Sequence, residues 1–341
     1  MLTQITRRSV LQTSMAATLL SAVPGFVFGE DAVYKPAVPG RPIPQKTRWD
    51  EFTTAEMVTD GIDLSGKTAL VTGCNSGLGF ETMRVLAMRG AHVIGAARTL
   101  EKAQTACAQI EGKTTPLVVE LTDLPGIVDA ANQVADMGLP IDMLILNAGI
   151  MAVPDRRLAN GIELQLAVNH LGHFLLATRL QDQVVAAEQG RVVVVSSAAH
   201  RWGPKSGIEF DDLSAANDYD PFRAYGQSKV ANGLFSREFA RRLADTNATS
   251  NSLHPGVIKT NLGRYLPEND DDEEPTSFRY KSIGEGTATQ CYVATAPNLA
   301  EVTGYYFSDC NPAMPNDHMQ DDVLAAKLWE VSEELIAEHL S

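Results

Sequence analysis

From residue 66 onwards the chain alternates short β-branched, apolar runs with stretches of helical spacing, and this rhythm limits its fold more than any other feature. The runs are TALVTG (68–73), HVIGAAR (92–98), TPLVVEL (115–121), DMLILNAG (142–149), RVVVVSS (191–197), SNSLHPG (250–256) and TGYYFSD (303–309). Helical spacing fills the intervals near 78–90, 100–111, 125–137, 161–180, 225–245 and 284–296, and a terminal helix is expected near 320–339. Parallel strands need long crossover connections, which helices supply. The unbroken valines of 192–195 suit a strand buried on both faces. The expected class is therefore α/β: a single doubly wound parallel sheet flanked by helices, with ligands outside the carboxyl ends of the strands.

With 341 residues, 44% of them hydrophobic, the chain can build one large domain with a substantial core. Its formal net charge of −14 argues against nucleic acid and anionic membrane as partners. The acidic run NDDDEEP (269–275) reads as a solvated loop. Cys74, Cys107, Cys291 and Cys310 form no CxxC pair, and His170 and His173, at i and i+3, lack an accompanying carboxylate motif. No metal site is expected.

The first residues carry Arg7 and Arg8, then an apolar stretch from Met15 to Phe28 that Pro24 and Gly25 interrupt. That is too short and broken to span a bilayer comfortably, so no stable membrane anchor is expected. Residues 1–29 read as a signal peptide with cleavage near Gly29; the alternative is an uncleaved amphipathic tail. TRRSVLQ resembles the twin-arginine export signal, which implies the export machinery as a partner and a periplasmic or exported protein, or a cytoplasmic one if the signal reading fails. Residues 30–60 hold Pro36, Pro39, Pro42 and Pro44, a spacing that favours an extended surface arm without regular helix. The domain proper is expected over 61–341.

Chemistry enters at TGCNSGLG (72–79), between the first strand and the first helix. Gly73, Gly77 and Gly79 let the backbone turn sharply and approach a diphosphate, while the helix N-terminus offers free N–H groups. In AYGQSKVAN (224–232), Tyr225 and Lys229 stand four apart, on one helix face. A cation there is expected to lower the phenol's pKa and make it a proton donor and acceptor near neutrality.

These stretches, with LNAG (146–149) and the serine-ended strand, together resemble the short-chain dehydrogenase/reductase family. GIDLSGKTALVTG (61–73), VNHLGHFLL (168–176), LHPGVIKTNL (253–262) and GYYFSDC (304–310) are similar to its retinol-dehydrogenase-like group. The resemblance covers about residues 55–337 and implies a Rossmann fold and an NAD(P)-dependent oxidoreductase. By it, Tyr225 is the acid/base, Lys229 lowers its pKa and binds the nicotinamide ribose, Ser197 orients the substrate oxygen, and Asn169 holds a proton-relay water. Gly73, Asn75, Ser76, Gly77, Leu78, Gly79, Asn147, Ala148, Gly149, Pro255, Gly256 and Thr260 are implied to line the cofactor cleft. Glu120-Leu121 stand where the family usually has Asp-Leu beside the adenine, with Asp123 a nearby substitute. Arg98, ending the second strand where an acidic residue would select NAD, favours NADP, with NAD as the alternative. Loops 198–223 and 261–283 should border a cleft for a small, apolar alcohol or carbonyl substrate, with Leu262, Tyr265, Leu266 and Phe278 as an apolar wall. A homo-oligomer is left open. The alternatives are a non-catalytic nucleotide-binding sensor or scaffold, and a carbohydrate epimerase, which the glycine spacing disfavours.

Overall fold

The valines of RVVVV divide between two layers: Val192 and Val194 join one buried cluster, Val193 and Val195 the other. The same alternation holds in the first strand, where Leu70 faces one way and Ala69 and Val71 the other. A strand buried on both faces needs helices on both, and the computed structural model, which describes residues 34–266 and 279–340, has them. The expected signal segment, the run 269–275 and Phe278 lie outside the described residues.

The strands are β1 (Thr68–Thr72), β2 (His92–Ala97), β3 (Thr114–Val118), β4 (Met143–Leu146), the small hairpin β5 (Leu158–Ala159) and β6 (Ile162–Glu163), then β7 (Arg191–Val195), β8 (Thr249–His254), β9 (Tyr306–Ser308) and β10 (Asn311–Pro312). Eight of them form one sheet in the order β3-β2-β1-β4-β7-β8-β9-β10. Its neighbours are parallel apart from the edge pair β9 and β10. The strand order reverses at β1 and β4, which opens a crevice above their carboxyl ends.

The helices are α1 (Ala55–Val58), α2 (Gly77–Met88), α3 (Leu100–Cys107), α4 (Leu124–Asp136), α5 (Leu164–Leu166), α6 (Gly172–Arg179), α7 (Gln181–Val185), α8 (Pro221–Arg242), α9 (Ile283–Thr295) and α10 (Asp322–Leu335). Helices α4, α6, α8 and α10 cover one face, and α1, α2, α3 and α9 the other. Asp220 starts α8 by accepting from the N–H groups of Phe222 and Arg223, with Pro221 in the first turn. Seventeen of its 22 residues are buried, because Trp329 of α10 packs on Phe235 and Phe239 of α8 and on Phe174 of α6. The helix that carries Tyr225 and Lys229 is thus enclosed.

Two expectations differ from the structure. The helix expected over 161–180 begins as β6, then runs through α5, a π-helical turn at Ala167–Leu171, and α6. Asn160 (φ +52°) and Gly161 (φ +80°) make the tight turn between β5 and β6. An Asn-Gly pair is the usual signature of such a hairpin, and it was legible in the sequence. The arm is not uniformly extended: it bends at 37–41, where Arg41 N–H donates to Val38 O, and turns helical at Ala55–Val58. Tyr34 donates to Gly304 O (2.9 Å) and stacks on Tyr305. Arg41 donates to Ala244 O and Thr246 O, and Trp49 O accepts from Asn311 Nδ2. Thr54 then caps the short α1, which packs on α9, because no proline after Pro44 forbids a helical turn. The arm lies on the surface but is tied down: it buries Ala37 and Val58 and bonds Asn311 at the β10 edge through Thr47 and Trp49.

Candidate active site

The glycine loop leaves β1 at Thr72 and enters α2. Gly73 (φ +70°) and Gly77 (φ +55°) hold left-handed backbone that few other residues adopt. Gly79 is fixed by closeness instead: a methyl there would lie 2.3 Å from Gly73 O and 2.5 Å from Asn147 Nδ2. The loop rests against Ala148 on one side and Thr260 on the other, so residues from three strand ends meet around it. Ser76 makes no side-chain cap bond, and the first turn of α2 holds no acidic residue. The helix N-terminus is left free for an anion, and the residues present fit a dinucleotide diphosphate. Asn75 is exposed, and Leu78 is half-buried.

Arg98, just past β2, is exposed and forms no hydrogen bond or ion pair among the described residues. Glu120 accepts from the N–H and hydroxyl of its neighbour Thr122, and Leu121 is buried against Gly172. Asp123 is committed elsewhere, since its carboxylate caps α4 through Gly126 N–H. Pro255 is buried, and Gly256 (φ +103°) packs on the Lys281 side chain.

Ser197 and Ser196 diverge as adjacent strand residues must. Ser196 Oγ donates to Lys229 O at 2.7 Å, locking β7 to α8. Half-buried Ser197 points the other way and caps the 3-10 turn that follows. Its hydroxyl lies near enough to the Tyr225 phenol to favour the ionised form of that phenol. Lys229 Nζ donates to Val195 O at 3.0 Å and lies 5.5 Å from the centre of the Tyr225 ring. Both side chains are almost wholly buried. Burial raises the Tyr225 pKa well above the ordinary phenol value, with Ser197 opposing, and it pushes the Lys229 pKa down to about 7. Desolvation is the largest influence on Tyr225, and Lys229 is not among the groups that shift it.

Asn169 sits in the π-helical turn, a distortion that often marks functional positions. Its amide clasps the backbone N–H and C=O of Ile150, both at 2.9 Å, and donates to Ser228 Oγ. Both amide hydrogens are therefore committed. Gly149 presents its Cα towards Asn169 and Lys229.

Three features escaped the sequence. His254 Nδ1 accepts from Ala198 N–H, steadying the backbone beside Ser197. Lys281 pairs with Asp309, whose φ of +50°, like that of Cys310 (+57°), is uncommon outside glycine. His173 Nε2 lies 2.9 Å from Thr72 Oγ1. The first two join residues across the sheet, and no local spacing announces them. His170, its apparent twin, instead meets Ser332 of α10, so the two imidazoles do not converge.

An open parallel sheet with a glycine cradle at its switch point, a serine, and a buried tyrosine–lysine pair defines a nucleotide-dependent oxidoreductase of the α/β class. Residues 67–210 match the family described as short chain dehydrogenase. The short-chain dehydrogenase TIC 32 A of Brassica napus is 40% identical over 304 residues, covering 85% of this chain and 95% of the relative. Retinol dehydrogenase 14 of Mus musculus is 37% identical over 298 residues, covering 80% and 86%. A crystal structure of an uncharacterised Mycobacterium paratuberculosis protein superposes with a TM-score of 0.68 at 34% identity, covering 82% of this chain and 97% of that one. The chain belongs to the short-chain dehydrogenase family, whose members use NAD(P).

Proposed function

We propose that the protein is an NADP-dependent oxidoreductase acting on the carbonyl or alcohol carbon of a small, apolar substrate. The observation that carries the reading is the buried Tyr225–Lys229 pair beside Ser197 at the end of β7, with Gly149 of the neighbouring strand end close to Lys229 Nζ. When bound, the nicotinamide supplies or accepts the hydride. In reduction the Tyr225 hydroxyl gives its proton to the substrate oxygen, and in oxidation it takes that proton back. Ser197 Oγ, near the phenol, holds the same oxygen beside it. Lys229 spends one N–H on Val195 O and has others for the ribose hydroxyls. An amine with a pKa near 7 also exchanges protons at neutral pH, which suits a relay to Tyr225. A water held by Asn169 would hang on its carbonyl groups, since its amide hydrogens are taken.

Arg98 supports NADP over NAD: an exposed guanidinium without a partner among the described residues, at the end of β2, suits a 2′-phosphate. Leu262, Tyr265 and Leu266 line the turn after Thr260 and offer an apolar border for the substrate. Arg7-Arg8 supports export by the twin-arginine route, with the folded protein reaching the periplasm.

The test is a panel of alcohols and carbonyls offered with both cofactors to the wild type and to Tyr225→Phe. Loss of the hydroxyl should cut turnover at least about 100-fold while nucleotide binding persists. Nucleotide binding without turnover of any substrate would favour the scaffold reading. Equal turnover by Tyr225→Phe would remove the proposed acid.

A further inference from the structure

We infer that His173 is a positioning residue for the cofactor cleft, acting through Thr72 to hold the splayed carboxyl ends of β1 and β4 in the shape a dinucleotide needs. The inference rests on the oxidoreductase reading above. The ladder between β1 and β4 ends at the pair Val71 and Ile145. Beyond it a side chain replaces the strand partner: Thr72 Oγ1 accepts from Asn147 N–H (2.9 Å) and Ala148 N–H (3.0 Å). With both lone pairs used, the hydroxyl must place its own proton on an acceptor.

Two acceptors are in range. Ile145 O stands at 3.4 Å, the limit of a hydrogen bond, and His173 Nε2 at 2.9 Å. The partner of the other ring nitrogen decides the tautomer. Nδ1 lies 3.1 Å from Asn169 O, which can only accept, so Nδ1 carries the proton and Nε2 is bare. The imidazole is 2% exposed and fits both partners at once. A neutral ring is what this arrangement requires, and burial holds the pKa of His173 down at about 4.

From Thr72 the contacts continue into the cradle. Asn147 Nδ2 donates to Thr72 O at 2.8 Å and is the atom that excludes a methyl from Gly79. Ala148 lies where a methyl on Gly73 would touch it at 3.1 Å. A displaced Thr72 therefore moves Asn147 and Ala148 against the two glycines that admit the diphosphate. The chain His173–Thr72–Asn147/Ala148–Gly73/Gly79 is continuous, and its first member does not line the cradle.

The isosteres His173→Gln and His173→Asn separate the two ring nitrogens. The Gln amide reaches the place of Nε2 and keeps the Thr72 contact, whereas the Asn amide reaches the place of Nδ1 and keeps only the Asn169 contact. NADP affinity of the full chain is measured by fluorescence titration, alongside cofactor KM and kcat. His173→Gln should bind within about threefold of wild type. His173→Asn, His173→Leu and Thr72→Val should each bind about tenfold more weakly and raise cofactor KM, with kcat little changed. Adding His173→Leu to Thr72→Val should cost nothing further, because one path is already cut. Full affinity in His173→Asn, weak binding in His173→Gln, or additive losses in the double variant would overturn the role. Should His173→Leu fail to fold, the Gln and Asn variants decide alone. A wild type that binds no nucleotide would overturn the oxidoreductase reading itself, whereas a binding wild type with unchanged variants overturns only the role of His173.

Discussion

Lys229 should make the protein less stable than an inert side chain in its place. Folding takes its amine out of water, and burial moves its pKa from the ordinary 10.5 to about 7. Between those values the unfolded chain holds a proton that the folded chain has released. Stability therefore rises with pH across that window. Below about pH 7 both states are protonated and the full penalty stands; above about 10.5 neither is, and it vanishes. At about 1.36 kcal/mol per pH unit the penalty approaches 5 kcal/mol as an upper limit. Lys229→Met keeps the length of the stem and removes the charge. It gives up one hydrogen bond, worth about 1 kcal/mol. Val195 O is not stranded, since Asn232 Nδ2 also donates to it at 3.0 Å. The variant should gain about 2–4 kcal/mol at pH 7 and melt about 3–6 °C higher. It should have lost turnover, because the ammonium is gone. The assay is thermal and urea unfolding of nucleotide-free wild type and variant from pH 6 to 10.5. The gap should be flat below pH 7 and close as pH approaches 10.5. A destabilised variant, or a gap that ignores pH, would refute the claim that Lys229 sits at a desolvation cost.

Other outcomes follow from the same structure. Arg98→Asp should shift preference from NADP towards NAD, and equal NADP affinity in variant and wild type would remove Arg98 from the site. Gly79→Ala should abolish nucleotide binding and lower the melting midpoint, because its methyl meets the Gly73 carbonyl at 2.3 Å and neither backbone can withdraw; normal binding would refute the tight cradle. If the chain is exported folded, NADP bound before export should travel with it. Such binding stabilises the native state by about 2.7 kcal/mol at a ligand concentration 100 times the dissociation constant. Periplasmic protein, denatured and assayed, should release nucleotide. Folded periplasmic protein with an empty cleft would sink that idea, and protein found only in the cytoplasm with export intact would sink the signal reading.

The sequence by itself determined the layered sheet, the position of the glycine cradle and the helix that carries Tyr225 and Lys229. These signals are local: valine runs have the period of a buried strand, glycines mark a backbone that must turn, and i, i+4 spacing places two side chains on one face. The Asn160-Gly161 hairpin was equally local and could have been read, but the helical spacing that follows masked it. Only the tertiary structure decided what lies between elements far apart in the chain. Thr72 and His173 are 101 residues apart, and Arg237 Nη1 meets the Lys35 carbonyl across 202. No pattern within a strand or helix specifies such a contact, because it depends on how the sheet orders its strands. The electrostatics of the Tyr225–Lys229 pair were decided there too. Spacing puts a cation near a phenol and suggests a lowered pKa. The packing of α8 on β7 and its strand end buries the pair and makes desolvation the larger effect, raising the phenol and lowering the amine.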